Sequence, residues 1–213
     1  MKPRILITFT VVLILLLGSE LAMADAVEVV TINTTPLDGT QGYLAFDFIG
    51  GTPVENNTVT ISDFVSNATL GALTPTGGAS GSISPGHGTL NDSQFFNELL
   101  QGVTFGSTLS FDLDLTTNVF SGGIPDEFAF YLLDSTQNPY ASSDPTGADS
   151  VFVIIVNSGT LTPDAYTSSS ATATITSGNV AAIPEPGSVW LVIGGISSLA
   201  LIRRRHNATV ASE

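Results

Sequence analysis

The chain has no cysteine among its 213 residues. A disulfide framework, a thiol nucleophile and a Cys-ligated zinc site are therefore excluded. Stability must come from packing and hydrogen bonds. The length allows one domain with a substantial core, and a single domain is the default expectation.

Lysine and arginine are absent from 25–182, a stretch that carries sixteen acidic residues. The five basic side chains of these types lie in the end segments, as Lys2, Arg4 and Arg203 to Arg205. The middle stretch therefore forms no Lys or Arg salt bridge of its own and repels nucleic acid phosphates. Nucleic acid binding is excluded.

Short strand-like runs separated by Gly, Pro, Asn and Ser fill the middle of the chain. In Thr108 to Thr116 the apolar residues occupy every second position, which is the period of a half-buried antiparallel strand. Six more runs predict strands: Val27 to Ile32, Gly42 to Ile49, Thr58 to Val65, Glu127 to Leu133, Val151 to Val156 and Ala171 to Thr176. We predict an all-β domain, an antiparallel β-sandwich of jelly-roll-like type.

Three local expectations refine this fold. The continuously apolar run Val151 to Val156 predicts a central strand covered on both faces. Asn91-Asp92 before Ser93 to Leu100 predicts the cap of one short helix. Gly71 to Gly88, rich in Gly, Ser and Thr, is expected to be a loop or an edge region.

The N-terminus has the three parts of a signal peptide. Two basic residues precede an apolar run, 5–17, and Ala22 and Ala24 form the small-residue site that signal peptidase accepts. We expect cleavage before Asp25, which makes 1–24 the signal peptide. The alternative is an uncleaved anchor, but about thirteen apolar residues are short for a membrane span.

The C-terminus places a proline-rich motif, an apolar stretch and an arginine cluster in order. Pro184-Glu185-Pro186 precedes Val189 to Ile202, and Arg203-Arg204-Arg205 follows. As a helix this stretch is about 21 Å long and crosses a hydrocarbon core of about 30 Å only with local thinning. Burying three arginines costs on the order of 8 to 10 kcal/mol, so they remain cytoplasmic. We predict a single transmembrane helix, 189–202, with the domain outside.

These features, beside a signal peptide and an all-β ectodomain, resemble the PEP-CTERM sorting signal. The match covers 183–206. The resemblance implies that an exosortase, a membrane-embedded transpeptidase similar to cysteine proteases, recognises Pro184, Glu185 and Pro186 and removes the anchor. It also implies association with exopolysaccharide-producing bacteria. An ordinary tail anchor is the alternative.

The expected organisation is a signal peptide (1–24), an acidic β-sandwich ectodomain (25–182), the sorting signal (183–206) and a short tail (207–213). The protein is then exported, transiently anchored in the bacterial inner membrane, and finally placed at the cell surface or outside the cell. Its expected partners are signal peptidase, exosortase, the cytoplasmic membrane before processing, and exopolysaccharide.

Four carboxylates are weak candidates for calcium ligation: Asp112, Asp114, Asp144 and Asp149. The segment from Asp144 to Asp149 has a glycine-containing turn but lacks EF-hand spacing. The alternative, which we favour, is that these residues are solvated strand and turn formers. No cofactor is therefore expected.

No catalytic set emerges from the acidic and histidine residues. Asp112 with Asp114, and Asp126 with Glu127, have the residue types of glycosidase pairs, but the domain has no Lys or Arg and its one tryptophan lies in the predicted anchor. His87 has no Gly-x-Ser-x-Gly elbow for a triad. We therefore expect that the protein is not an enzyme.

The function that follows is structural, in the cell envelope or the biofilm matrix. The alternative is a surface module that binds carbohydrate or calcium. Its sugar-stacking residues would be tyrosines, which are scattered along the sequence and which we assign to packing. They are Tyr43, Tyr131, Tyr140 and Tyr166.

The unbalanced charge predicts that stability depends on salt. Sixteen acids on a folded domain of about 7,000 Å² lie about 20 Å apart, between the Debye lengths of about 8 Å at physiological salt and about 30 Å at 0.01 M. The domain should therefore melt at a lower temperature in very dilute buffer than in physiological salt. An equal melting temperature under both conditions would refute this.

Overall fold

The computed structural model describes residues 26–51, 57–119, 122–157 and 159–177. Alternating apolar residues form most of the strands in these ranges. Within these ranges there are twelve strands and one 3-10 helix, Thr35–Leu37, and no α-helix. The strands are β1 (Ala26–Asn33), β2 (Gln41–Ile49), β3 (Thr58–Ser66), β4 (Thr69–Thr76), β5 (Ala79–Gly81), β6 (Gly88–Asn91), β7 (Phe96–Thr104), β8 (Thr108–Leu115), β9 (Asp126–Asp134), β10 (Phe152–Asn157), β11 (Thr160–Ala165) and β12 (Thr172–Ser177).

All seven predicted strands are confirmed, each within one residue at either end. They are β1, β2, β3, β8, β9, β10 and β12. In β8 the alternation is as expected, because the apolar residues from Leu109 to Leu115 are buried while Asp112 and Asp114 lie on the other face. Period-2 alternation therefore identified these strands correctly.

The short helix predicted over Ser93 to Leu100 is wrong. Residues from Phe96 onward form β7, which alternates buried and half-buried positions and pairs with β2 along its whole length. The Asp92 carboxylate accepts a hydrogen bond from the backbone N–H of Asn57, 3.1 Å away. Tertiary pairing with β2 thus overrides a local sequence typical of a helix start.

Two six-stranded antiparallel sheets contain all the strands. The first has the order β12-β1-β8-β3-β6-β5 and the second the order β11-β10-β9-β2-β7-β4. β10 lies inside the second sheet, as its apolar run predicts, but Val153 and Ile155 are only half-buried. The cover expected on its second face is therefore incomplete.

The two sheets pack face to face through aromatic side chains, as in a β-sandwich. Phe46 and Phe130 of the second sheet meet Phe111 of the first, with ring centroids 5.3 Å apart for Phe46 and Phe111 and 5.4 Å apart for Phe111 and Phe130. All three rings are almost fully buried. They form the centre of one continuous apolar core.

The region Gly71 to Gly88 forms sheet edges, which confirms one of its two expected roles. Here β4 ends the second sheet and β5 ends the first. β4 contains Pro75 and a bulge between Leu70 and Leu73. Proline and bulges are devices that discourage another strand from adding to an edge.

The predicted end segments lie outside the described residues. This holds for the signal-peptidase site at Ala22, Ala24 and Asp25 as well as for everything from residue 178 onward, including Pro184 to Pro186, the helix 189–202 and the arginines. Among the residues that are described, no helix has the length and apolarity needed to cross a membrane.

The contact between the sheets predicts a large cost for truncating its central ring. Phe111→Ala should lower the free energy of unfolding by about 3–5 kcal/mol, because it leaves a cavity between two sheets that are not joined by any disulfide. Phe95→Ala is the matched control, since Phe95 is 76% exposed. Chemical unfolding followed by circular dichroism measures the free energy of unfolding of each variant. An equal loss in Phe111→Ala and Phe95→Ala would contradict the proposed core.

Candidate functional site

The outer face of the second sheet collects acidic side chains that point away from the core. Along β2 and β9 the apolar residues alternate inward, which turns Asp47, Glu127 and Tyr131 outward. Glu98 of β7 stands opposite Asp47 in the register of the sheet. We call Asp47, Glu98, Glu127 and Tyr131 the acidic face.

Asp47 is the most perturbed group of the acidic face. Its Oδ1 atom is buried and accepts no hydrogen bond from the described residues. Burial, and then the charge of Glu98, raise the pKa of Asp47 from 3.8 to about 7. Like charges directly opposite on neighbouring strands destabilise a sheet, so Asp47 retains its proton to higher pH than an ordinary aspartate.

The other members of the acidic face shift in the same direction. Burial raises the pKa of Glu98, and burial followed by the charge of Asp144 raises that of Glu127. Burial, with the charges of Asp47, Glu127 and Asp144, raises the pKa of Tyr131 to about 12. Burial is the largest cause for each group, and no lysine or arginine of the described residues offsets it.

Asp144 is stabilised as an anion by the loop that carries it. Burial raises its pKa, but Thr146 and Ser150 each donate a side-chain and a backbone hydrogen bond to its carboxylate and outweigh that effect. The net result lowers the pKa of Asp144 to about 2. The hydrogen bonds of the loop therefore stabilise the charged carboxylate of Asp144, as a nearby lysine or arginine would.

The four calcium candidates do not come together. Asp112 and Asp114 lie on the outer face of the first sheet, whereas Asp144 acts on Glu127 at the outer face of the second. Asp149, with a φ of 61°, accepts a hydrogen bond from the backbone N–H of Ser142. Within the described ranges no three His, Cys, Asp or Glu side chains are placed to hold one metal ion.

The carboxylate pair Asp126 and Glu127 is divided by the strand. Asp126 points inward and Glu127 outward. Asp126 accepts hydrogen bonds from the backbone N–H of Gly51 at 2.7 Å and from Nδ2 of Asn57 at 2.6 Å. These contacts tie the residues just after β2 and just before β3 to the start of β9, and the role they give Asp126 is structural.

The tyrosines and the histidine have separate surroundings. Tyr43 and Tyr131 share the outer face of the second sheet, and Tyr166 is close enough to contribute to the pKa of Tyr131. Tyr140 packs edge-on against Phe105, 6.4 Å between centroids. His87 is exposed in a loop. Three of the four tyrosines thus lie on one face although they are scattered in sequence.

An open groove of about 500 Å³ lies at one end of this face, across β2, β7 and β4. Tyr43 and Leu100 line it on one side, and the turn after β9 borders it through Gln137. Gly71 and Gly102 form its floor, where an added Cβ on Gly102 would lie 3.3 Å from the carbonyl oxygen of Ala72. The two glycines let β4 approach β7 closely and leave the floor without side chains.

The floor of the groove depends on a bulge in β4. The bulge interrupts the ladder with β7 between Leu70 and Leu73. From the core side, Nε2 of Gln101 donates to the carbonyl oxygens of Gly71 at 2.9 Å and Gly102 at 2.8 Å. Gln101 is 3% exposed, so a buried amide satisfies carbonyl groups that the interrupted ladder does not.

The border of the groove is a turn built on one carboxylate. Oδ1 of Asp134 accepts hydrogen bonds from the backbone N–H groups of Thr136 and Asn138 and from the Thr136 hydroxyl. Hydrogen bonds from Thr136 and then Asn138 lower the pKa of Asp134. The turn holds Gln137 at a φ of 65°, a conformation that side chains other than Gly, Asn and Asp rarely adopt.

Comparison with known proteins found no match among protein-family models, curated proteins or solved structures.

Sequence reasoning missed both Asp47 with Glu98 and the groove. Asp47 and Glu98 each occupy an outward position of their strand. For Asp47 the alternation of apolar residues along β2 indicates this from sequence alone. Their proximity follows from the pairing of β2 with β7, and β7 was predicted as a helix. A signal for the groove is present in Gly71 and Gly102, since glycine inside a strand often marks a bulge or a close approach.

The acidic face predicts that the domain is more stable in mild acid than at alkaline pH. The folded-state pKa of Asp47 lies above its unfolded value of 3.8, so the folded chain binds the proton more tightly and stability is lost as pH rises through about 7. We expect a loss on the order of 2–3 kcal/mol between pH 5 and pH 8. Asp47→Asn should remove most of it.

The matched control is Asp38→Asn, because Asp38 is exposed in the turn before β2. Urea unfolding at pH 5, 6.5 and 8 measures all three proteins. Between pH 5 and pH 8 the contribution of Asp144 to the free energy of unfolding stays constant, because it is lost only as pH falls toward about 2. A wild-type stability that rises from pH 5 to pH 8, or an Asp47→Asn variant with the wild-type slope, contradicts the prediction.

Proposed function

We propose that this protein is an exported component of the bacterial cell envelope or biofilm matrix, sorted through its C-terminal segment and structural rather than catalytic. Support comes first from the ordered features of the tail: Pro184-Glu185-Pro186, the apolar stretch 189–202 and Arg203 to Arg205. The signal peptide 1–24, with its site at Ala22 and Ala24, supports export. Signal peptidase and exosortase are the proposed processing partners.

The position of the two ends of the domain is the observation that carries this proposal. β1 and β12 are antiparallel neighbours, and Glu28 stands opposite Ser177. The chain therefore enters and leaves the sandwich side by side. Only the short segment 178–183 separates Ser177 from Pro184, so the proposed sorting motif follows closely in sequence on the last strand of the domain.

The charge of the domain supports the same arrangement. The described residues contain no lysine or arginine, and anionic lipid headgroups repel a surface of this kind. The domain is therefore not attracted to an anionic bilayer, which is compatible with access of a membrane enzyme to the segment around Glu185. After cleavage the domain is free to join the surface or the extracellular matrix, where exopolysaccharide is the proposed partner.

We further propose that the sandwich is of the jelly-roll class. What supports this is a nested pattern of pairing: β1 pairs with β8, β2 with β7, and β3 with β6. Successive strands from β1 to β4 alternate between the two sheets. This is the arrangement of a long hairpin folded over itself, to which β9 to β12 are added.

The test is the mass of the mature protein purified from its own bacterium, compared with a variant in which Pro184, Glu185 and Pro186 are alanine. We expect a wild-type product that begins at Asp25 and ends near Pro186. The variant should keep its anchor.

Ser188→Ala is the matched control, because it changes a residue just after the motif and should be processed like the wild type. An intact C-terminus in all three proteins would overturn the sorting proposal and make this a plain membrane-anchored protein. A product that still begins at Met1 would overturn the signal peptide.

A further inference from the structure

We propose that the groove across β2, β7 and β4 binds a neutral polysaccharide chain. This goes beyond the sorting proposal and does not depend on it, because every residue involved lies in the β domain. The volume of about 500 Å³ is in the range of ligand sites. The chemistry of its lining selects the kind of ligand.

The lining is uncharged in a domain that is otherwise acidic. None of the described residues that line the groove is an acid or a base, and several are amides or hydroxyls such as Gln137 and Thr74. An anionic polysaccharide is repelled by the surrounding carboxylates, since Glu98 lies two residues from Leu100 on β7. A ligand rich in hydroxyl groups and without charge fits these surroundings.

The shape of the groove suits a sugar ring. Tyr43 supplies an aromatic face with a polar end, and aromatic rings bury large apolar area while their hydroxyl groups form hydrogen bonds. Gly71 and Gly102 leave a floor of bare backbone beside it. An extended chain can therefore lie across the strands and stack one ring on Tyr43.

Gln137 adds a polar side chain to the border of the groove. Its φ of 65° is a strained conformation for glutamine, and strain of this kind collects at binding sites. The side chain lines the groove and forms no hydrogen bond with another described residue. Glycine would adopt this conformation without strain, whereas glutamine adds an amide that a ligand in the groove can contact.

The edge of the sheet disfavours a peptide as the occupant. An added peptide strand would pair with β4, the edge strand that borders the groove. Pro75 removes one donor from that edge, and the bulge between Leu70 and Leu73 breaks its register. A ligand held by side-chain contacts and stacking is therefore favoured over one held by a backbone ladder.

The experiment measures binding to the full chain in a detergent without sugar, lauryldimethylamine oxide, by isothermal titration calorimetry. The probes are the neutral hexasaccharides of cellulose, β-1,3-glucan, starch and mannan, with hexagalacturonate as the anionic probe. We expect at least one neutral hexasaccharide to bind with a Kd below about 1 mM and hexagalacturonate not to bind.

Two variants test the groove itself. Tyr43→Ala should weaken binding at least about tenfold, and Gln137→Gly should weaken it while leaving the melting temperature unchanged or higher. The matched control is Tyr166→Ala, which removes a tyrosine of the same face outside the groove and should bind like the wild type.

The proposal is overturned if no neutral hexasaccharide binds at about 5 mM, if hexagalacturonate binds as well as they do, or if Tyr43→Ala and Gln137→Gly both keep wild-type affinity. Each of these results leaves the processing of the tail unaffected. Loss of processing with intact sugar binding would instead overturn the sorting proposal alone.

Discussion

A carboxylate that is buried in this domain has no lysine or arginine to pair with, because neither residue occurs among the described positions. Water is excluded from the interior, so hydrogen-bond donors must stabilise the charge or a proton must neutralise it. Asp144 takes the first route, with donors from Thr146 and Ser150. Asp47 has too few donors and takes the second, with a pKa of about 7. The lack of lysine and arginine therefore has two results: a loop that donates hydrogen bonds to Asp144, and a carboxyl group, Asp47, that titrates near pH 7.

The contact between the two sheets supplies the stability that offsets the repulsion between the acidic side chains. No disulfide is available, and the central rings of Phe46, Phe111 and Phe130 lie within 5.4 Å of each other. The strands that carry these rings are distant in sequence, so each contact closes a long loop. Folding is then dominated by non-local pairing, which is slow in β-proteins.

Sequence predicted the strands far better than their partners. In β8 one face is apolar and the other polar from Leu109 onward, and this pattern is independent of its neighbours. β7 has the same alternation, but its buried inward positions include the polar residues Asn97 and Gln101. These two amides satisfy backbone groups of Phe48 and Gly71, a role that depends on register. Register also decides that Asp47 meets Glu98. Local pattern therefore indicates the outward position of Asp47 and the glycines of the groove, but not which residues lie beside them.

The strand directions relate the groove to the ends of the domain. β1 runs from Ala26 toward the turn at Thr34, and β2 returns from Gln41, so the start of β2 is remote from the start of β1. Ser177 stands opposite Glu28 near the start of β1, whereas Gln41 pairs with Thr104 beside the groove. The groove and the point where the chain leaves therefore lie toward opposite ends of the strands, with the groove toward the end of the domain opposite to the one where β1 begins and β12 ends.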